Sequence, residues 1–319
     1  MTALRIGTRG SRLARWQADR VGSLLSVTSE IVIVQTSGDV HKDVPLQGQP
    51  TMGFFTREIE RELIEGRVDL AVHSLKDLPV VQPAGLSLGA ILERHDPGDV
   101  LLVRPEAIAD GPLPVREGAR VGAGSMRRRS SLLAIRPDLV PVLVRGNVPT
   151  RVSKAAAGEV DAVILARAGI ARLGIDPAPL LAFDLDPSAW VPAPGQAAIA
   201  VEIREADEAA RAAVAPLDHA ATRTCVEMER RLLAASGGGC HAPFAAWARP
   251  SAPGGSPAMG TILSMSAPGR NGAWRTVRFD GMPGEIAAMG RDWLSSGCPE
   301  DFAPAGQEEA LCRPARPWS

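Results

Sequence analysis

The sequence predicts an α/β protein with two lobes of alternating strands and helices, followed by a small α+β domain. Strand-like and helix-like segments alternate over residues 1–95 and again over 96–190, a pattern typical of a mainly parallel sheet covered by helices. Joints rich in Pro and Gly at 94–98 and 190–196 flank the second stretch. The predicted domains are therefore 1–95 with 191–215 (domain 1), 96–190 (domain 2) and 216–319 (domain 3).

The first lobe contains three strand candidates and two helices. Leu4–Thr8 is a short apolar strand, and Ser11 can cap a helix whose apolar residues recur every three or four positions. The β-branched run Ile31–Gln35 is typical of a buried parallel strand. Apolar residues four positions apart over 55–63 predict an amphipathic helix, and Val68–Val72 predicts a third strand.

The second lobe repeats this alternation, and the region after it differs. Asp99–Val103 is a strand, and a Gly-rich turn precedes a helix over Met126–Ile135. Beyond residue 216 a helix is followed by short strand candidates and a further helix, and the Pro-rich tail after Gly297 is expected to be frayed. The other predicted strands are Val140–Val144, Asp161–Leu165, Ala197–Ile203, Phe244–Trp247, Thr261–Met265 and Trp274–Phe279; the other helices are Thr150–Ala157, one ending at Leu173, one containing Cys225, Met228 and Leu232, and Glu285–Leu294.

Composition and charge exclude several classes of protein. The 35 basic and 36 acidic residues give a net charge of −1, which argues against a nucleic-acid-coating or membrane-surface protein. Hydrophobic residues make up 45% of the chain, enough for sizeable cores, but no apolar run reaches the length of about 20 residues that a membrane span needs. The N-terminus has no secretory-signal pattern, so we expect a cytoplasmic protein, and the scattered Cys and His residues predict no metal site.

Polar side chains follow the apolar strand that ends near His73. Ser74, Lys76 and Asp77 come directly after it, and ligands of open α/β sheets bind at such carboxyl ends of strands. A capped turn with a solvated Lys–Asp pair is the alternative explanation.

Arginines are concentrated in one stretch of the second lobe. Residues 116–151 contain eight arginines and two acidic residues. Arg127 and Arg128 follow Ser125 at the predicted start of a helix, where backbone N–H groups attract anions. A nucleic-acid patch or a general Arg bias is the alternative, but the aromatic residues that stack on bases are missing from this stretch. The pattern favours a pocket for a small polyanion.

Three glycines, Gly237–Gly239, precede Cys240. A cysteine on such an open loop is typical of a nucleophilic or covalently loaded thiol. A buried structural cysteine is the alternative, and a hydrolase pairing Cys240 with His241 is another, although adjacent residues rarely act as nucleophile and base.

Taken together, these segments resemble the porphobilinogen deaminase family, also called hydroxymethylbilane synthases. The resemblance runs in order from residue 4 to about 245. The similar stretches are LRIGTRGSRLARWQA (4–18), GFFTREIE (53–60), DLAVHSLKDLP (69–79), RHDPGDVLL (94–102), GSMRRR (124–129), RGNVPTR (145–151), DAVILARAGIARLG (161–174), PAPGQAAIAVE (192–202) and GGCHAPF (238–244).

The resemblance implies a fold, a cofactor and a reaction. The lobes would be similar to those of periplasmic binding proteins, with the site between them. A dipyrromethane primer would be held through a thioether by Cys240. Four porphobilinogens would be added to it head to tail with loss of ammonia, and hydrolysis would free hydroxymethylbilane for haem synthesis. The family also implies a monomer.

The resemblance also implies roles for individual residues. The catalytic aspartate matches Asp77. Because each pyrrole unit carries an acetate and a propionate, arginines are suitable partners. The matching cofactor-binding residues are Cys240, Lys76, Ser74, Ser125, Arg127, Arg128 and Arg145, and the matching substrate-binding residues are Arg9, Ser11, Arg151 and Arg172.

The sequence departs from the family pattern at several of these segments. Ala123 and Gly124 stand where hydroxyl residues are usual, Met52 where Lys is frequent, and His241 where Gln is usual. These changes leave a diverged, inactive paralogue as one alternative. A two-lobed module that binds a small anion without turnover is another, because one fold can serve many functions. A pure binding module has no need of Cys240, which therefore favours the enzyme.

Overall fold

The structure is a computed structural model that describes residues 3–37, 56–238, 242–299 and 311–318. The chain divides into two compact units: Met1–His95 with Ala197–Arg223, and Asp96–Gln196 with Thr224–Ser319. The division into three domains stays a prediction.

The described residues form three sheets flanked by helices, which confirms the predicted α/β class. The strands are β1 (Leu4–Arg9), β2 (Ser29–Val34), β3 (Leu70–Ser74), β4 (Leu86–Ile91), β5 (Asp99–Val103), β6 (Arg120–Gly122), β7 (Val140–Val142), β8 (Ala162–Ala166), β9 (Leu181–Leu185), β10 (Ile199–Arg204), β11 (Ala245–Pro250), β12 (Thr261–Pro268), β13 (Trp274–Gly281) and β14 (Cys312–Pro314). The helices are α1 (Arg12–Leu24), α2 (Arg57–Ile64), α3 (Met126–Ile135), α4 (Val148–Ala156), α5 (Arg167–Leu173), α6 (Glu208–Val214), α7 (Ala220–Ala235) and α8 (Pro283–Ser295).

The sheet of the first unit has the strand order β2-β1-β3-β10-β4. Strand β1 pairs in parallel with β2 and β3, whereas β10 pairs antiparallel with β3 and β4. The sheet is therefore mixed: β10, which returns to the first unit after the segment Asp96–Gln196, runs antiparallel to both of its neighbours. Helix α1 packs on this sheet by burying Ala18 and Val21 against Ile6, Leu70 and Val72.

The main sheet of the second unit has the order β14-β9-β5-β8-β6-β7. Strands β6, β7 and β8 are parallel, and β5 is antiparallel to β8 and β9. Gly122 in β6 allows close packing here: a Cβ at this position would lie 2.8 Å from Cγ2 of Val144 and 3.1 Å from Cγ2 of Val163.

The third sheet, β11-β12-β13, is antiparallel and packs against α8. Buried Glu229 of α7 joins this sheet to the Pro/Gly segment before β10: its carboxylate accepts hydrogen bonds from the backbone N of Ala248 (2.8 Å) and of Gly195 (2.7 Å). Both of these partners are backbone N–H groups, which satisfy one oxygen each of this buried carboxylate.

The prediction of a frayed tail is wrong for residues 311–318. This segment contains β14, which pairs antiparallel with β9, Cys312 opposite Leu185 and Pro314 opposite Phe183. Its Pro residues do not prevent pairing because β14 is an edge strand, where a missing N–H is tolerated.

Candidate active site

The first unit contains a pocket at the carboxyl ends of β1 and β3. Its walls include four residues singled out from the sequence, Arg9, Ser11, Ser74 and Asp77. Parallel neighbouring strands place their carboxyl ends at one edge of the sheet, which is why these separated segments meet. The remaining lining residues are Leu13, Ala14, Gln17, Thr56, Val72 and His73.

Arg9 and Ser11 come from the turn between β1 and α1. Strand β1 ends at Arg9, and Ser11 is the N-cap of α1, its Oγ accepting a hydrogen bond from the backbone N of Ala14 at 3.2 Å. This confirms the predicted cap. The turn therefore brings a guanidinium and the positive end of a helix to the pocket, a combination that favours anions.

Gln17 is a pocket residue that the sequence analysis missed. Its Nε2 donates to Oγ of Ser74 at 2.9 Å, and Ser74 Oγ lies 3.2 Å from Gln17 Oε1. Gln17 is only 2% exposed although it is polar. The available signal was its position on the face of α1 that also carries Ala18 and Val21, where a polar side chain needs a buried partner. Gln17 thus fixes the orientation of the Ser74 hydroxyl.

Lys76 and Asp77 lie on the short turn Leu75–Asp77 that follows β3. Leu75 is buried, Lys76 is half-buried and Asp77 is exposed. The buried leucine anchors the turn, so that the carboxylate of Asp77 can line the pocket while staying in contact with solvent.

A buried His–Glu pair lies beside this strand end. Nε2 of His73 is 3.7 Å from Oε2 of Glu202, and both side chains are buried. Burial, and secondarily the charge of Arg9, lowers the pKa of His73 to about 4. The imidazole is therefore neutral near pH 7, which leaves Arg9 as the cation that the pocket presents beside it.

In the second unit, Arg127 and Arg128 share one buried acid, Asp99. Arg127 Nη2 lies 2.7 Å from Asp99 Oδ2, and Arg128 donates through Nε (3.1 Å) and Nη2 (2.7 Å) to the two oxygens. Each guanidinium also donates to a backbone oxygen, that of Val191 at 3.0 Å and that of Ile164 at 3.2 Å. The sequence analysis expected these arginines at a polyanion pocket and did not foresee an internal counter-ion.

Two further donors complete the shell around Asp99. Nε1 of Trp190 donates to Oδ2 and Nε2 of Gln196 to Oδ1, each at 2.9 Å. Desolvation on its own would raise the pKa of Asp99, but the two guanidiniums together hold the pKa well below its usual range. The acid is therefore ionised, and the cluster of two cations and one anion has a net positive charge.

The second unit also contains the predicted binding residues Ser125, Arg145, Arg151 and Arg172. Ser125 is the N-cap of α3 and accepts from the backbone N of Arg128 at 3.2 Å. Arg151 Nε donates to the oxygen of Gly146 at 2.8 Å, and its Nη1 would lie 3.2 Å from a Cβ placed on Gly124. The departure from hydroxyl to glycine at 124 thus leaves space for this guanidinium.

Arg145 and Arg172 complete the predicted set. Arg145 is half-buried between β7 and α4, and Arg172 lies on α5. Burial lowers the pKa of Arg172 to about 10. An anion bound to this guanidinium would stabilise its charged form, because the ion pair offsets the hydration that the side chain loses on burial.

Several predictions fall outside the described residues: the attachment site Cys240, its neighbour His241, and Met52 with the rest of the loop 42–54. Within the described part of the chain, no group of three His, Cys, Asp or Glu side chains could hold a metal ion. No described helix is long and apolar enough to cross a membrane.

Comparisons with known proteins find one family. The model described as "Porphobilinogen deaminase, dipyromethane cofactor binding domain" matches residues 4–212, a range that ends before Cys240. Similar relatives named porphobilinogen deaminase occur in Nitratidesulfovibrio vulgaris strain DP4 (47% identity, 77% of this chain, 78% of the relative), Acidithiobacillus ferrooxidans (44%, 77% and 81%) and Geotalea uraniireducens (42%, 77% and 77%).

Solved structures overlap this chain only partly. An ABC transporter from Parabacteroides distasonis has a TM-score of 0.40 and 15% identity, with 73% of this chain and 74% of that chain covered. A Salmonella typhimurium periplasmic binding protein described as having high arginine specificity has a TM-score of 0.39 and 13% identity, with coverage of 68% and 92%. Structural similarity at these TM-scores supports no conclusion about the function of this chain.

Proposed function

Because this chain belongs to the porphobilinogen deaminase family, we propose that it works as a transferase that condenses four porphobilinogen molecules head to tail, with loss of ammonia, and releases hydroxymethylbilane. It is an enzyme of tetrapyrrole synthesis with a dipyrromethane-binding domain. The observation that carries the proposal is the pocket that brings Arg9, Ser11, Ser74 and Asp77 together at one strand edge. We further propose a cytoplasmic monomer.

The residues of this chain fit a dipyrromethane, whose acetate and propionate groups are anions. Arg127 Nε is buried and has no hydrogen-bond partner among the described residues. This observation favours the approach of a carboxylate to the Arg127 side chain. We propose that Cys240 holds the group through a thioether, and that the bound group supplies a nucleophilic pyrrole carbon.

The arginines and hydroxyls divide the binding of carboxylates between cofactor and substrate. The residues proposed to bind the cofactor's carboxylates are Ser74, Lys76, Ser125 and Arg145. The proposed substrate ligands are Arg9, Ser11, Arg151 and Arg172. Arginine suits both tasks because its planar N–H groups bind carboxylates in pairs and stay charged when water is excluded.

The proposed role of Arg127 and Arg128 has to be compatible with Asp99. A guanidinium has five N–H groups, and the bonds to Asp99, Val191 and Ile164 use part of them. The remaining N–H groups and the net positive charge of the cluster are what a carboxylate of the cofactor would meet. Asp99 thereby holds both arginines in place.

Asp77 is the proposed catalytic residue. When ammonia leaves porphobilinogen, positive charge develops on the pyrrole ring and its methylene carbon. A carboxylate lining the pocket stabilises that charge and can accept or return a proton at Oδ. Its exposure allows the proton to reach solvent between successive additions.

The function is tested by incubating the purified full-length chain with porphobilinogen and measuring consumed substrate, released ammonia and linear tetrapyrrole. We expect a ratio of four to four to one, sustained over many turnovers. Saturable binding of porphobilinogen without ammonia release would contradict the proposal and favour a binding module.

A further inference from the structure

The tail segment (residues 311–318) docks along the outer edge of β9. Besides the strand pairing of β14, the backbone N of Asp186 donates to the oxygen of Leu311 at 3.0 Å, and the backbone N of Ala315 donates to the oxygen of Ala182 at 2.9 Å. Without this segment, β9 would be the edge strand of its sheet, and an exposed edge is a template for pairing with another strand.

Side chains add selectivity to this backbone pairing. Arg316 approaches two acids: its Nη2 lies 2.6 Å from Asp96 Oδ2 and its Nε 3.4 Å from Asp184 Oδ2, and its backbone N donates to the same Asp184 oxygen at 3.0 Å. The Asp184 side chain is 5% exposed. Arg316 of the tail segment thus pairs with two acids of the second unit, and Arg167 pairs with the same two acids.

Arg167 contacts the last residues of the tail segment through hydrogen bonds and a cation–π contact. Its Nη1 donates to Asp184 Oδ1 at 2.7 Å, while Nη2 donates to the backbone oxygens of Arg316 (3.1 Å) and Pro317 (2.7 Å). Its guanidinium carbon lies 4.8 Å from the ring centroid of Trp318, a cation–π distance. The Arg167 side chain is 5% exposed, so these contacts with the tail segment are shielded from solvent.

Arg313 of the same segment differs from Arg316. It lies in β14, is exposed, and within the described part of the chain forms no ion pair. The segment therefore contains two arginines, of which only Arg316 is held by acids.

We propose that the edge of β9, together with Arg167, Asp184 and Asp96, is a peptide-binding surface whose occupant is the chain's own tail segment. Strand addition to a sheet edge gains affinity from main-chain hydrogen bonds and specificity from side chains at fixed positions. The two specific contacts are the ion pairs of Arg316 with two acids and, two residues later, the cation–π contact of Trp318 with Arg167.

The surface can be tested in a variant that ends at Ala310, with a fluorescently labelled peptide of residues 311–318. We expect saturable binding in fluorescence anisotropy, and at least about tenfold weaker binding by the Arg316→Ala and Trp318→Ala peptides, because a charge-assisted or cation–π contact contributes one or more factors of ten. The Arg313→Ala peptide is the matched control and should bind within about twofold of the natural one. The full-length chain, whose surface is occupied, should bind the peptide at least about tenfold more weakly.

Equal affinity of the Arg313→Ala and Arg316→Ala peptides, or absence of binding to a folded shortened variant, would overturn the proposal. If the shortened variant does not fold, hydrogen exchange in the full chain provides the test. Arg316→Ala should accelerate exchange in peptides covering 181–186 and 311–318, whereas Arg313→Ala should not. The same exchange in both variants would overturn the proposal.

Discussion

Turnover of porphobilinogen falls by at least about a hundredfold when Asp77 is replaced by Asn, because the amide cannot stabilise the developing cation as an anion or carry its proton. The fold is retained, since the Asp77 side chain is exposed and lies on a turn anchored by buried Leu75. The measurement is the initial rate of ammonia release, with circular dichroism and Tm as checks of folding.

Asp19→Asn is the matched control for Asp77→Asn. Asp19 is an exposed aspartate on α1 of the same unit and does not line the pocket, so its replacement should leave the rate within about twofold. A rate close to that of the unchanged chain in Asp77→Asn would remove this residue from the mechanism.

The Asp99→Asn variant loses about 3–5 kcal/mol of unfolding free energy, because it leaves Arg127 and Arg128 as buried cations without an anion. Denaturant unfolding at neutral pH measures this loss. Asp138→Asn is the control: Asp138 also forms a pair of hydrogen bonds with one arginine, Arg136, both at 2.7 Å, but in a partly exposed position. It should cost much less unfolding free energy than Asp99→Asn does, and an equal loss in the two variants would contradict the special role of Asp99.

Asp99 also makes the stability of the folded chain depend on pH. The pKa of Asp99 is lower in the folded chain than in the unfolded chain, so the unfolded chain takes up a proton first as the pH falls. The contribution of Asp99 is therefore present above its unfolded pKa of about 4 and is lost progressively below that pH. Asp99→Asn should show a smaller loss of stability than the unchanged chain between pH 5 and pH 3.

Local signals predicted most elements near the site. Helix α3 runs over Met126–Ile135 as expected, because Ser125 caps it after a glycine-rich turn. Strand β5 has its predicted bounds, Asp99–Val103, since it is a short run of buried apolar residues. Such elements are determined by their own residues, which is why sequence patterns find them.

Elements that depend on distant partners were missed. Strands β9 and β14 are short and flanked by prolines, and they form because they pair with strands far away in the sequence. Strand direction was also incompletely predicted, because periodicity does not show that β5 and β10 run antiparallel to their neighbours. Asp99 was overlooked as the counter-ion of Arg127 and Arg128 for the same reason: the ion pairs join residues 28 and 29 positions apart.

The central claim is that a dipyrromethane attached to Cys240 primes the reaction, and intact-mass spectrometry of the purified chain tests it directly. The unchanged protein should be heavier than its sequence mass by two condensed pyrrole units, and Cys240→Ser should lack that increment. Cys312→Ser is the control: burial raises the pKa of the Cys312 thiol to about 12, so it is a poor nucleophile and its replacement should keep the increment. An unmodified mass for the active, unchanged protein, or an increment that persists in Cys240→Ser, would contradict the claim.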